Sequence, residues 1–487
     1  MTRQQIAPWA RSYAQRLIHT TTERPITIVT GSSPVPPSAR RMYEHLIADE
    51  IVRALRAQNV EARQVITIGD DEPLRAIASE LPRETERYLG RPQNQVMVGS
   101  QNFVSYFVNQ ITDVLDEFGV DATMVTESEM LQQYMPQILR VMENESGELP
   151  LFVQCPHCEQ LATTSVTSED DHYTYRCSGE QEFRSYSEGR RDITVRGCGY
   201  TQTIDSLQDL LTWNGVVRPR WPIVMAARWS ELGATVEPLD QRHLSSSGEV
   251  SSVYARAATY YRQLFGGEPP AAIAESWMQV RTQPDEEPLD FFLIQDLFDI
   301  MPADILRYTM LRARPRGNTP NVIDLPSVPE LITGYDRELG TQYQAAMLAS
   351  QLGQNSQDER LIMERYAGSY NDDILHMARN YIENYMPDAR RLAILEQPAT
   401  ELSEQYRPAV QYLYDNTNNG LAVDDLERVV QRAADRVDNS TAERLGFFQT
   451  VYQSTLGRSE GPPLSLMLAV RRDDVRENVR QLLAGGV

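Results

Sequence analysis

Four cysteines occur in the 487-residue chain, and all of them fall between positions 155 and 198. CPHC sets Cys155 and Cys158 two residues apart, a turn that points both sulfurs at one ion. Cys177, in YRC, and Cys198, in GCGY, supply the second pair from a looser segment. Four thiolates closing a tetrahedron are the ligand set of a structural zinc ion, with no position left open for a substrate water. The alternatives are four buried thiols, or one disulfide with two thiols left over. Confinement to one short segment favours the metal. His157 and His172 lie beside the motif and are read as bystanders rather than ligands. No Walker loop, nucleophile elbow or HExxH motif is present.

The elements around this segment read as a parallel α/β fold. ITIVT (Ile26 to Thr30) is a β-branched run, which GSSPVPP (Gly31 to Pro37) cannot continue. Leu46, Ile47, Ile51, Val52 and Leu55 then recur at helical spacing, and VITI (Val65 to Ile68) supplies a second strand. A helix around Phe107 to Phe118 and the strand ATMVT (Ala122 to Thr126) extend the alternation, which opens a parallel sheet. SSSGEVSS (Ser245 to Ser252) is the most loop-like short stretch. Beyond about Arg316 the pattern is helical almost to the end. In ERYAGSYNDDILHMARNYIENYM (Glu364 to Met386), Tyr366, Tyr370, Ile374 and Met377 are expected to form one internal helical face.

Composition narrows the function classes. All 46 cations are arginine and none is lysine, whereas roughly 10 to 30 lysines are expected for this length. Candidate causes are a GC-rich genome, a high-salt cytoplasm, avoidance of a lysine-directed modification, economy under lysine starvation, or engineering. Against 68 Asp and Glu the net charge is −22, which argues against a general nucleic-acid coat protein and against DNA as a partner. No apolar run is long enough to span a membrane. The opening MTRQQIAPWARSY lacks the apolar core of a signal peptide, so a cytoplasmic location is expected.

Several short stretches, in one shared order, resemble the class I lysyl-tRNA synthetases. TGSSP (Thr30 to Pro34) resembles the family's TG-x-SP turn, IGDDEPLR (Ile68 to Arg75) its acidic stretch, and YLGRP (Tyr88 to Pro92) a downstream match. WP at Trp221 and Pro222, EP-xxxx-H ending at His243, MPADILRYTMLRARP (Met301 to Pro315), PELITGYDREL (Pro329 to Leu339) and VYQSTLGRSEGPP (Val451 to Pro463) follow in order. The resemblance implies a class I synthetase-type Rossmann-like parallel sheet with an inserted four-cysteine zinc module and an all-helical C-terminal region. The expected domains are 1–150, the first half of the nucleotide-binding domain; 151–205, the zinc insertion; 206–320, its second half; and 321–487, an anticodon-binding-like helical domain.

The same resemblance exposes losses. Where a HIGH-like signature belongs, PPSARRMYEH (Pro36 to His45) has Arg40 and Arg41, either an anion site or an exposed charged turn. Where a KMSKS-like signature belongs, Trp277 to Asp290 holds one cation, Arg281, and four acidic residues. Arg220 stands in the place of a substrate-binding acid in RPRWP, and Arg242 does so in DQRH. No catalytic residue is therefore assigned. Arg218, Arg220, Arg242 and His243 are the candidate ligand-binding residues; Asp70 and Asp71 lie at a strand end, in a site or in a solvated loop. The arginines are expected to pair with internal carboxylates such as Asp70, Asp71 or Asp240 and fill the old pocket. The expected protein is a degenerate paralogue that keeps a structural zinc without ATP. Its partner would be tRNA, a protein or a small anionic ligand. The alternatives are an enzyme of different adenylyl or ligase chemistry, or a divergent active lysine–tRNA ligase.

Overall fold

The computed structural model describes residues 6–22, 24–169, 172–245, 251–312, 320–418, 420–437 and 440–485. Most of the SSSGEVSS stretch and the end of the Met301 to Pro315 segment, with Arg316, lie outside the described residues. The chain forms two units. The first comprises Met1–Val280, Pro288–Asp296 and Leu306–Ile323. The second comprises Arg281–Glu287, Leu297–Ile305 and Asp324–Val487.

The first unit is built on a five-stranded parallel sheet. Its strands are β1 (Ile26–Ser32), β2 (Ala62–Ile68), β3 (Ala122–Thr126), β4 (Val236–Asp240) and β5 (Ala271–Glu275), in the spatial order β5-β4-β1-β2-β3. β1 runs through Gly31 to Ser32, beyond the break expected at Gly31. Helix α1 (Ala39–Arg56) begins where the Ser38 hydroxyl accepts from the Arg41 N–H. Its apolar positions Leu46, Ile47, Ile51, Val52 and Leu55 are fully buried, as their spacing predicts. α2 (Phe103–Glu117) is capped by Asn102, whose side chain accepts from the Val104 N–H. α3 (Trp221–Leu232) opens with Pro222 in its first turn and closes on Gly233, which takes the left-handed conformation at φ 59°.

The cysteine segment is an antiparallel module. Strands Thr164–Glu169, His172–Cys177 and Thr201–Ile204 pair in one sheet, and Glu180–Ser185 with Arg191–Arg196 forms a hairpin. Cys177 closes a strand rather than lying in a loop. A Cβ at Gly197 would collide with the Cys177 carbonyl, and the Gly199 N–H bonds that same carbonyl at 2.7 Å. This close approach needs glycine, and it brings Cys198 back onto the end of the Cys177 strand.

The second unit is mainly helical, with Arg337–Leu352, Ser356–Ala367 and Asp372–Asn384 among its helices. The single internal face expected over Tyr366 to Met377 is not formed. Gly368, at φ 72°, ends one helix and Asn371 caps the next, so the two halves fall out of register. Tyr366 is exposed, while Ile374, Leu375, Ala378 and Tyr381 are buried.

Candidate functional site

In an order of this kind the strand sequence reverses between β1 and β4, and α/β sheets place their ligand crevices beyond the strand C-termini at such a point. A cavity of about 510 Å³ lies there. Its floor includes Gly31 and Ser32 from the end of β1, Asp240 from β4 and Glu275 from β5. One wall is the first turns of α1, with Arg40, Arg41 and Glu44. Trp221, Trp277 and Phe291 supply aromatic surface.

Beneath the cavity is a buried ionic network. Arg228 of α3 is fully buried, pairs with Glu237 of β4 and donates to the Thr67 hydroxyl at 3.2 Å. The Trp229 indole N–H donates to the same Glu237 carboxylate. Arg218, 2% exposed, holds Glu127 at 2.6 Å and Glu72 at 3.2 Å, and it also pairs with Asp71. The Arg228 guanidinium lies 4.6 Å from the Trp221 ring centre. A Cβ at Gly31 would collide with Arg228, so the end of β1 requires glycine.

Higher in the cavity, Asp240 accepts from the Arg242 backbone N–H and pairs with both Arg40, at 2.9 Å, and Arg242. Among the described residues, the Arg41 guanidinium has no carboxylate within salt-bridge distance and no hydrogen-bond acceptor. Glu275 is 4% exposed and its Oε2 has no partner.

The four cysteine sulfurs lie within 4.8 Å of one another. Cys158 and Cys177 are 3.5 Å apart, and Cys155 and Cys198 are 3.6 Å apart. Bond lengths of about 2.3 Å around a tetrahedral zinc give sulfur separations of roughly 3.8 Å, so this donor set fits that ion. No disulfide joins them. His157 instead packs on Tyr200, with ring centres 4.2 Å apart, and His172 is exposed outside the cluster.

The sequence model for the family described as tRNA synthetases class I (K) matches residues 7–366. The chain belongs to this family. It is similar to the lysine–tRNA ligase of Methanocaldococcus jannaschii, at 23% identity over 96% of this chain and 98% of that one. The corresponding ligase of Archaeoglobus fulgidus is 21% identical over 94% and 96% of the two chains. That of Pyrococcus horikoshii is 21% identical over 95% and 97%.

In this class I synthetase chain the candidate residues separate. Arg242 and His243 line the cavity. Arg218 lies in the ionic network below rather than on the cavity wall. Arg220 is outside it: its half-exposed guanidinium pairs with Glu148 and lies 5.3 Å from the Phe152 ring centre. The physical reason is the chain path, because Arg220 leaves the short strand Val217–Pro219 and becomes the N-cap of α3. Asp70 and Asp71 are buried rather than solvated; Asp70 accepts from the Ser128 backbone N–H at 2.9 Å, and Asp71 pairs with Arg218. Arg40 and Arg41 face the cavity rather than forming an exposed first turn. The expected pairs to Asp71 and Asp240 exist, yet they do not fill the pocket.

Glu44, Glu275, Trp277 and Phe291 were not singled out by sequence reasoning. AAIAE, an apolar strand ending in an acid as VEPLD does, was the available signal for Glu275. Burial pushes the Glu44 carboxyl up to about 7, against the help of Arg228 and a Gly31 N–H. Burial, then repulsion from Glu44 and Asp240, holds Glu275 well above the ordinary carboxyl range. Burial also lowers the His243 pKa, with Asp240 opposing it, which favours the neutral imidazole.

Two measurements check this site. Replacing Arg228 by Met strands the Glu237 carboxylate, and urea unfolding should show a loss of about 3 to 5 kcal/mol. Glu44 and Glu275 bind protons more tightly folded than unfolded, so their contribution is complete below the ordinary carboxyl value of 4.5. It is lost as pH rises through about 7. Thermal midpoints of wild type should therefore fall relative to Glu44→Gln across that window; parallel curves would contradict the assignment.

Proposed function

We propose that this chain is a catalytically degenerate member of the class I lysyl-type synthetases that acts as a binding or regulatory module. The observation that carries the reading is the first turn of α1, where Arg40 and Arg41 occupy the place of the HIGH-like signature. Catalysis of amino-acid activation needs groups that stabilise charge developing on the phosphates. Arg40 is instead held by Asp240 at 2.9 Å. In the stretch from Trp277 to Asp290, Arg281 is engaged by Asp324 at 3.4 Å. A triphosphate entering the cavity would meet the carboxylates of Glu72, Asp240 and Asp290. The charge balance disfavours the polyanion without closing the space. tRNA, which the names of the relatives imply for those ligases, and a protein partner are the macromolecular candidates.

A structural zinc held by Cys155, Cys158, Cys177 and Cys198 belongs to the same reading. Bound there, the ion would tie the CPHC turn to the ends of two strands. Metal analysis of the purified protein should find one zinc per chain. Cys158→Ser should lose it and lower the thermal midpoint by several degrees; full-length protein that stays metal-free and equally stable would refute the assignment.

Lysine-dependent exchange of pyrophosphate into ATP tests the loss of activation. None is expected, even at high protein concentration. A rate within a few orders of magnitude of ordinary synthetases would refute the degenerate reading.

A further inference from the structure

The cavity holds unpartnered polar groups at its centre. Asp240 neutralises Arg40 and Arg242, Glu237 neutralises Arg228, and Glu72 is held by Arg218. What remains is Arg41, which makes no hydrogen bond and no close salt bridge among the described residues although Glu72 and Glu44 stand near it, and Glu275, whose buried Oε2 is unpaired. Glu44 takes a hydrogen bond from the Gly31 N–H and otherwise faces the same space. Burial lowers the Arg41 pKa and the nearby Glu72 and Glu44 offset it without pairing, so an incoming anion that pairs with the guanidinium would relieve the remaining cost.

We propose that this cavity binds a small organic oxyanion, a carboxylate or a phosphate ester, with its charged group on Arg41 and further hydrogen bonds from the carboxyl groups of Glu44 and Glu275. The inference rests on the degenerate reading above, since it makes the first turn of α1 a site for a small anion rather than for a substrate triphosphate. Two features support it over a cationic ligand. Arg41 is the fixed charge at the site, because guanidinium stays protonated. Burial and Asp240 raise both carboxyls that would have to hold a cation, and Glu44 raises Glu275 further, which favours their neutral forms; a neutral carboxyl donates to an oxyanion. The groups facing Glu44 and Glu275 are Gly31 from β1, Arg228 from α3, Asp240 from β4, and Arg40, Arg41 and Tyr43 from α1. The aromatic rim of Trp277 and Phe291 suits the organic body of such a ligand.

The test titrates the full-length protein with inorganic phosphate, acetate and putrescine, followed by tryptophan fluorescence, because Trp221 and Trp277 line the site. Saturation by phosphate or acetate is expected, and the tighter of the two identifies the anion type. Arg41→Gln should weaken it about tenfold or more. Arg256→Gln, on the exposed face of α4 (Val253–Phe265), should leave it unchanged. Should Arg41→Gln fail to fold, the wild type still decides. Its acetate affinity should fall as pH rises through about 7, where acetate itself keeps one charge, and Glu44→Gln should remove that fall. No saturation, equal affinity in Arg41→Gln, or saturation by putrescine instead would overturn the proposal. Pyrophosphate exchange on the same preparation separates the two claims. Absent exchange with no anion binding overturns this site alone, whereas lysine-dependent exchange overturns the degenerate reading and this inference with it.

Discussion

The cavity floor depends on one buried interaction, the pairing of Arg228 with Glu237 between α3 and β4. Both residues are fully buried, so neither charge is tolerable without the other. The planar fork of arginine suits this position because it spreads its donors over Glu237 and the Thr67 hydroxyl while stacking beside Trp221. The cost falls on β1, whose end must be Gly31 to leave room for the guanidinium. Strand, helix and neighbouring strand are thereby fixed around one charge.

Arg218 extends this arrangement to the other side of the sheet. It ties Asp71 and Glu72, just after β2, to Glu127, just after β3. Two arginines therefore hold the acidic ends of β2 and β3 and the Glu237 carboxylate within β4, and they are consumed in doing so. Neither is free to meet a ligand. The cations available to the cavity come from α1 and from the turn after β4. Asp240 engages Arg40 and Arg242 there and leaves Arg41 alone.

Much of this was legible in the sequence, for local reasons. β-branched runs and 3.6-residue spacing gave β1, β2, β3 and α1, because each element's burial is written in its own residues. The cysteine cluster was legible because CPHC sets one pair by a tight turn and no other cysteines compete. The pairing of Asp71 with Arg218 was less so, since it joins positions that only the sheet brings together. Arg218 and Arg220 look equivalent in RPRWP, yet one lies within a strand and the other caps a helix, so their side chains diverge. The open cavity was illegible for the same reason: charge reversals at Arg220 and Arg242 say nothing about how far each guanidinium stands from the crevice.

The absence of lysine gives the electrostatics a particular character. Every cation is a guanidinium that stays charged, so the cavity can change its charge only through carboxyls and His243. The same composition bears on the macromolecular partner. In the second unit Arg360, Arg365, Arg379, Arg390, Arg428, Arg444 and Arg480 each stand beside a carboxylate. Exposed pairs of this kind contribute little to stability, at about 0 to 1 kcal/mol each, but they cancel the positive field that a phosphate backbone needs. A tRNA-binding face on this unit would have to break such pairs against an excess of acid.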